Sequence, residues 1–275
     1  MFDTHVHAAP DVLDRIGDDT FVAESFCTAD FDGFVLKGHY ESTVGRARAL
    51  ARRFGLTVYG GLALNQHTGG VNPSAVAATL GAGGRVIWLP TADAHTQQAA
   101  GLPRLCDHEP VLARHSYAIP PVDPSREPDV DAVLRLVADH DAVLATGHLS
   151  GAECDWLVER AHRFGVRRLL LTHPSFTVPA LDPEHVLDLV RAGAYAEITA
   201  YQLLHQPGCD PALLARVAEA AGERLVLSSD AGQPTSPLPA EALLRLIDTL
   251  AEEGLDRGWL EAAASDIPRQ LFTPE

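Results

Sequence analysis

Histidine, lysine, aspartate and glutamate residues stand at or near the ends of several short apolar runs in this chain. The first run contains His5 and His7, which are separated by a single residue. Residues i and i+2 of a β-strand point to the same side, so these two imidazoles project together and can hold one metal ion. Comparable side chains in later runs are Lys37, His39, His148, His173, Glu197 and Asp230. One strand-end histidine is weak evidence, but convergence from several strands predicts a metal site.

The basic residues comprise twenty arginines and a single lysine, Lys37. Arginine keeps its proton at accessible pH, whereas lysine can act as a neutral amine: a base, a Schiff-base former, or a carbamate formed with CO₂. Lys37 also shares a face with His39 by the i, i+2 spacing of a strand. It is therefore a candidate catalytic residue.

Eight apolar runs alternate with amphipathic stretches, and this order positions the chemical side chains. The predicted strands are Phe2–His7, Gly33–His39, Thr57–Leu64, Arg85–Thr91, Ala142–His148, Arg168–His173, Ala194–Thr199 and Arg224–Asp230. The predicted helices cover 19–30, 42–54, 73–81, 129–139, 151–164, 183–192, 211–221, 239–253 and 257–264. Eight β-α units in about 250 residues predict an α/β fold, a (β/α)₈ TIM barrel, as one domain over residues 1–275. A doubly wound sheet is the alternative.

One irregular, proline-rich stretch, residues 92–128, follows the fourth strand as an oversized loop. Loops of that length in a compact domain are usually functional, so we expect an inserted active-site loop there. Its arginines Arg104 and Arg114 are candidates for binding a substrate carboxylate, with solvated loop charge as the alternative. In a barrel this loop lies on the rim that carries the active site, at the C-terminal ends of the strands.

The 275 residues are 46% hydrophobic and 21% charged, with a formal charge of −16. This composition excludes a disordered chain and makes nucleic acid and anionic membranes poor candidate partners. No stretch approaches the roughly 20 apolar residues that span a bilayer, and no signal peptide is evident. Four scattered cysteines favour reduced thiols over a disulfide framework. We expect a cytoplasmic protein with a small-molecule partner; homo-oligomerisation is left open.

The pattern resembles the amidohydrolase superfamily of metal-dependent barrels. In that superfamily a His-x-His pair on the first strand is joined by one histidine after each of strands five and six, and by an aspartate after strand eight. The matching positions are His5, His7, His148, His173 and Asp230. The resemblance implies one or two divalent ions, commonly zinc, and a hydrolytic water activated by the metal. It also implies that Asp230 is both a ligand and a proton shuttle.

The fourth strand departs from the superfamily pattern. Binuclear members usually bridge their metals with a carbamylated lysine or a glutamate from that strand, and residues 86–91 offer neither. Other members recruit a bridging ligand from the second strand, where Lys37 lies. We therefore expect a carbamylated Lys37 to be a bridging metal ligand. The alternatives are a mononuclear site with Lys37 as a substrate anchor or base, and a structural lysine.

The expected reaction is hydrolysis of an amide, lactam, lactone or ester bond in a small molecule. Asp230 accepts the proton of the attacking water and returns it to the leaving group, while His148, Lys37 or Tyr201 helps a metal ion to stabilise the oxyanion. Glu197 is a candidate for orienting a histidine. The candidate substrate-binding residues are His39, Glu197, Tyr201, Arg104 and Arg114.

Three other functions fit the same residues. A nonhydrolytic decarboxylase or lyase would use the metal to hold a carboxylated substrate. A phosphoesterase would direct the attack at phosphorus, although such enzymes generally use more metal-binding carboxylates than this chain offers. A noncatalytic metal-binding protein is the fourth reading, and only the missing fourth-strand ligand supports it.

Overall fold

The computed structural model describes residues 1–104 and 115–274. Eight parallel strands pair in sequence order, each with the next along the chain. They are β1 (Phe2–Val6), β2 (Gly33–Leu36), β3 (Thr57–Ala63), β4 (Val86–Trp88), β5 (Val143–Ala145), β6 (Leu169–Leu171), β7 (Tyr195–Thr199) and β8 (Leu225–Ser228). The predicted (β/α)₈ barrel is confirmed, because a doubly wound sheet would place non-consecutive strands side by side.

Helices follow the strands and cover the outside of the barrel. They are α1 (Asp19–Thr28), α2 (Val44–Phe54), α3 (Pro73–Gly81), α4 (His95–Ala99), α5 (Glu127–Asp139), α6 (Gly151–Arg163), α7 (Pro183–Arg191), α8 (Ala200–His205), α9 (Pro211–Ala221), α10 (Pro239–Glu252), α11 (Arg257–Ala263) and α12 (Asp266–Phe272). None of the helices in the described ranges is long and apolar enough to cross a membrane.

Local signals in the sequence fix several helix starts. The side chains of Asn72, Asp182 and Asp210 accept hydrogen bonds from the first backbone N–H groups of α3, α7 and α9, each with proline in the first turn. Ser150 and Glu153 form the predicted capping box of α6. Three helices, α4, α8 and α12, were not predicted, since each has only five to seven residues and too few turns to show a helical period.

The barrel interior is filled by apolar side chains from the strands, including Val35, Trp88 and Val226. Leu271 and Phe272 of α12 close the N-terminal end of the barrel from below. Two arginines hold α12 there: Arg85 Nε donates to the Phe272 carbonyl at 3.0 Å, and Arg168 Nη1 donates to the Leu271 carbonyl at 2.7 Å. The C-terminal rim is therefore the end at which side chains can meet a ligand.

The last strand closes the barrel against the first at this rim. Asp230 N donates to the His5 carbonyl at 2.8 Å, and His7 N donates to the Ala231 carbonyl at 2.9 Å. Gly232 makes this approach possible, because a Cβ at that position would lie 2.2 Å from the His7 carbonyl oxygen. The two chain segments that carry His5, His7 and Asp230 are thus in direct backbone contact.

Gly232→Ala is expected to destabilise the fold more than Gly254→Ala. Both glycines have positive φ, at 137° and 97°, so both alanine variants carry backbone strain of about 1 kcal/mol or more. Only position 232 adds a clash, since a Cβ at position 254 meets nothing within 4 Å. Urea unfolding should show a further loss of about 2 kcal/mol or more in the free energy of unfolding at position 232. Equal losses at both positions would contradict the close approach of β1 and β8.

Candidate metal centre

The C-terminal rim opens into a cavity of about 480 Å³. Its walls contain most of the residues that the sequence singles out: His7, Lys37, His39, Arg104, His148, His173, Tyr201 and Asp230. His5 lies beside the cavity floor and is almost completely buried. The regular strands end just before most of these residues, which therefore stand on the first positions of the βα loops.

His5, His7 and Asp230 form a cluster whose ligand atoms all lie within 4.8 Å of one another. The Asp230 Oδ1 atom is 3.1 Å from His5 Nε2 and 3.2 Å from His7 Nε2. All three side chains are buried, so water does not separate them from one another as it would at the surface. Nitrogen and oxygen ligands in this combination suit a divalent ion such as zinc.

Glu197 determines which nitrogen of His5 carries the proton. Glu197 Oε2 lies 3.3 Å from His5 Nδ1, and its Oε1 accepts a hydrogen bond from the Ser228 hydroxyl at 2.7 Å. A carboxylate only accepts hydrogen bonds, so His5 Nδ1 donates and His5 Nε2 keeps a lone pair. When Asp230 is ionised, His5 Nε2 and Asp230 Oδ1 are two lone-pair atoms 3.1 Å apart that cannot bond each other. The residues present fit a bound cation.

Gln97 plays the corresponding role for His148. The Gln97 Oε1 atom is 2.9 Å from His148 Nδ1, while its Nε2 donates to the Pro103 carbonyl at 2.9 Å. The amide oxygen therefore faces His148, whose Nδ1 donates and whose Nε2 is left with a lone pair. The neighbouring His173 ring lies 4.9 Å from the His148 ring, and its Nδ1 has no hydrogen-bond partner among the described residues. These two histidines could hold a second ion.

Lys37 lies beside His5 at the same rim. Its Nζ is 2.9 Å from His5 Nε2 and 5.4 Å from the centre of the Trp88 ring, and its side chain is buried. Burial is the main reason that the pKa of Lys37 falls to about 8, against the opposing charges of Asp230 and Glu197. A fraction of the amine is thus neutral near neutral pH.

Burial disfavours charge throughout the cluster. It lowers the pKa of His5 and His173 to about 3, and it lowers the pKa of His7, His39 and His148 well below the ordinary value. The same burial raises the pKa of the Asp230 and Glu197 carboxyls. The imidazoles are neutral at pH 7, which is the form that binds metals.

Two residues of the candidate site have left-handed backbones. His173 has a φ of 28° and Asp230 a φ of 49°, although neither is glycine. Such conformations persist only where the surrounding structure enforces them, and they occur preferentially at functional sites. Here they turn both side chains from the strand ends into the cavity.

The other predicted residues occupy different positions around the cavity. Glu197 lies behind His5, which fits a histidine-orienting role better than substrate contact. Tyr201 lines the cavity with its ring edge-on to Phe176 at 5.8 Å. Arg104 lines the cavity and donates a hydrogen bond to the His115 carbonyl. Arg114 lies outside the described residues.

Three polar residues that the sequence analysis did not single out contact the predicted ones. Arg15 lies 3.3 Å from His7 Nδ1 and pairs with Asp11 at 2.6 Å. Asn65 donates to the His39 carbonyl, and Gln97 holds His148. Asn65 follows a predicted strand directly, so the strand-end rule could have found it. Arg15 lies in a loop and Gln97 in the five-residue helix α4, where no periodicity predicts the direction of either side chain.

Residues 1–197 match the sequence profile of a family of unknown function, DUF6282. The chain belongs to the DUF6282 family. No curated protein matches this DUF6282 chain at a significant level. The family profile covers the strands that carry His5, His7, Lys37, His148 and His173 and ends at Glu197, before Asp230.

Several solved structures share the fold of this DUF6282 protein. An organophosphorus hydrolase from Deinococcus radiodurans is 15% identical, covers 99% of this chain and 92% of its own, and gives a TM-score of 0.64. A mutant of a PTE-like lactonase from the same organism is 15% identical; the match covers 99% of this chain and 95% of the lactonase, with a TM-score of 0.63. A protein engineered for organophosphate hydrolysis from a weak promiscuous lactonase is 14% identical; the match covers 98% of this chain and 95% of that protein, with a TM-score of 0.65. At these identities the similarity shows the barrel fold alone.

Glu197→Gln is expected to weaken binding of a divalent metal by about 10-fold to 100-fold, because the amide no longer enforces proton donation by His5 Nδ1. Competition with a metallochromic chelator measures this affinity. Glu153→Gln is the matched control, since Glu153 is an equally buried glutamate that bonds His95, Ser150 and the Ile119 backbone instead. An equal loss of affinity in both variants would mean that Glu197 acts on stability and not on His5.

Proposed function

We propose that this DUF6282 protein is a zinc-dependent hydrolase of small lactones or esters and a member of the amidohydrolase superfamily. The observation that carries the proposal is the pair of lone-pair atoms, His5 Nε2 and Asp230 Oδ1, 3.1 Å apart beside His7 in a buried cluster. Solved structures with the same fold include proteins described as a lactonase and as an organophosphorus hydrolase, which supports the same chemistry.

The cavity favours a small and partly apolar substrate. Its volume of about 480 Å³ suits a metabolite-sized molecule, and its walls include Leu13, Leu102 and Phe176. Arg104 adds a positive charge at the same wall and is the candidate contact for a substrate carboxylate. Tyr201 also lines the cavity and is the candidate contact for a carbonyl oxygen.

His5, His7 and Asp230 would hold one zinc ion, and His148 and His173 would hold a second. Zinc bound there would lower the pKa of a water to about 7 and so supply a nucleophile at neutral pH. Asp230 takes the proton of the attacking water and returns it to the leaving oxygen or nitrogen as the bond to the carbonyl carbon breaks. His148 and Lys37 are placed to stabilise negative charge on the carbonyl oxygen.

Lys37 completes the proposed site as a carbamate. As an ammonium group 2.9 Å from His5 Nε2, it would repel a divalent ion at the atom that must bind it. The ammonium group first loses one proton; the neutral Nζ then attacks CO₂, an N–C bond forms, one C=O π bond breaks and a second proton leaves, so the side chain changes from a cation to an anion. The carbamate carboxylate would then serve as a metal ligand in place of the one that β4 lacks.

A panel of substrates tests the function. Protein freed of metal with a chelator and then supplied with zinc should hydrolyse a γ-lactone or an aryl ester, and the activity should disappear again on chelation. Release of CO₂ from a carboxylated substrate would favour the decarboxylase reading instead. Turnover of a phosphotriester alone would favour a phosphoesterase, and bound metal without turnover on the whole panel would favour the noncatalytic reading.

Asp230→Asn is expected to keep much of the bound metal but to lose about 100-fold or more in kcat, because the amide cannot accept the proton. Elemental analysis and steady-state kinetics on the same preparation measure both quantities. Asp14→Asn is the control, since Asp14 lines the same cavity but is exposed and lies outside the cluster. Full turnover of metal-loaded Asp230→Asn would rule out the proton-shuttle role.

Lys37→Ala is expected to lower the metal content from two ions per chain to one or none, and added bicarbonate should raise metal binding only in the wild type. Because Lys37 is the only lysine, ¹³C-labelled bicarbonate should give a single side-chain carbamate signal that Lys37→Ala abolishes. One ion per chain in both proteins, without a carbamate signal, would assign Lys37 to substrate binding in a mononuclear site.

A further inference from the structure

Three side chains from neighbouring loops form a hydrogen-bonded series that ends at the cavity. Asn65 follows β3, Thr91 follows β4 and His39 follows β2. Asn65 and Thr91 are completely buried, whereas His39 is partly exposed and lines the cavity. The proposed mechanism assigns no step to any of the three.

Two backbone donors fix the orientation of the Asn65 amide. Asn65 Oδ1 accepts hydrogen bonds from Thr91 N at 2.9 Å and from Asp93 N at 3.2 Å. Asn65 Nδ2 then donates to the Thr91 hydroxyl at 2.7 Å and to the His39 carbonyl at 3.1 Å. A flipped amide would set its NH₂ group against two backbone N–H groups, so only this orientation satisfies all four contacts.

The hydrogen bond from Asn65 in turn determines whether the Thr91 hydroxyl donates to His39 or accepts from it. Thr91 Oγ1 already accepts a proton from Asn65, and its other side-chain partner in the described ranges is His39 Nδ1 at 2.9 Å. If Nδ1 carried a proton, both neighbours would donate to the Thr91 oxygen and its own buried hydroxyl proton would have no acceptor there. Thr91 therefore donates, and Nδ1 of His39 accepts.

We infer that His39 holds its proton on Nε2 and donates a hydrogen bond to the carbonyl oxygen of the substrate, with Thr91 and Asn65 as positioning residues. The inference rests on the proposed hydrolase function. Thr91 occupies Nδ1, so Nε2 is the ring nitrogen left for a molecule in the cavity. The bond strengthens as that oxygen gains negative charge during water attack, and no proton is transferred.

The position of His39 beside the metal cluster supports this role. Its ring stacks on the His7 ring at 4.9 Å between centroids and 20° between planes. This stacking places His39 close enough to reach a substrate bound at the cluster. His39 is not a member of the group formed by His5, His7 and Asp230, and Thr91 already uses the lone pair of its Nδ1. β4, which offers no metal ligand, would contribute to the site through Thr91.

The tautomer of His39 is directly measurable. Long-range ¹H–¹⁵N correlation spectra of protein labelled with ¹⁵N in histidine separate protonated from unprotonated ring nitrogens, and a His39→Asn spectrum identifies the His39 signals. The wild type and Thr91→Ser should both show a protonated Nε2. Thr91→Val, which keeps the shape but removes the hydroxyl, should show a fraction of the Nδ1-protonated form and a kcat lowered by about 10-fold relative to Thr91→Ser.

Two variants distinguish a hydrogen-bond donor role of His39 from a metal-ligand role. The amide nitrogen of glutamine comes near the position of Nε2, whereas that of asparagine comes near Nδ1. Both variants should keep the metal content of the wild type. His39→Asn should lose about 100-fold in kcat for ester or lactone hydrolysis, and His39→Gln should lose less because its N–H replaces the donor.

Three results would overturn the inference: a protonated Nδ1 in the wild type, loss of a metal ion in both His39 variants, or an unchanged kcat in His39→Asn. If the metal-loaded wild type hydrolyses no compound of the panel, the proposed function fails. The tautomer and the metal content need no substrate, so they still decide whether His39 is a donor or a ligand.

Discussion

The candidate site depends on one electrostatic constraint: two lone-pair atoms are buried face to face with no proton between them. His5 Nε2 and the ionised Asp230 Oδ1 are 3.1 Å apart, although Glu197 already takes the His5 proton on the opposite side of the ring. His7 Nε2 differs, because Arg15 can only donate to His7 Nδ1, which leaves the His7 proton on Nε2, 3.2 Å from the same Asp230 oxygen. Buried acceptors that face each other are unfavourable unless a cation lies between them. In the unmodified chain the nearest cation is the Lys37 ammonium, which bonds the same His5 nitrogen.

The surroundings of the cluster make three of the imidazoles present one defined nitrogen. Glu197 sets His5, Gln97 sets His148 and the Thr91 hydroxyl contacts His39, and these three partners come from three different parts of the rim. Such partners fix the orientation and the tautomer of each ring. A histidine that binds a metal ion or donates to a substrate is thereby oriented before the ion or the substrate binds. The left-handed backbones of His173 and Asp230 belong to the same arrangement, since they turn these two side chains from the strand ends into the cavity.

The barrel and the grouping of ligands were predictable because both follow from short-range patterns. Alternation within the first strand placed His5 and His7 on one face, and the strand-end rule brought His148, His173 and Asp230 to the same rim. The Asn-Pro and Asp-Pro signals at the helix starts placed α3, α7 and α9 correctly. Gln97 escaped prediction because α4 has only five residues inside a proline-rich stretch. Its side-chain direction depends on contacts with His148 and Pro103 that no local pattern encodes.

Closure of the barrel brings together residues from the two ends of the chain. His7 and Asp230 are 223 positions apart, yet they share one cluster and β1 contacts β8 directly. During synthesis the ligands on β1 therefore emerge long before their partner, and a complete three-residue site exists only after the last strand has docked. An ion held by both strands would act as a cross-link across nearly the whole chain, so binding would oppose the separation of the first and last strands that opening of the barrel requires. In this architecture the atoms of the proposed reaction centre would also cross-link the two ends of the fold.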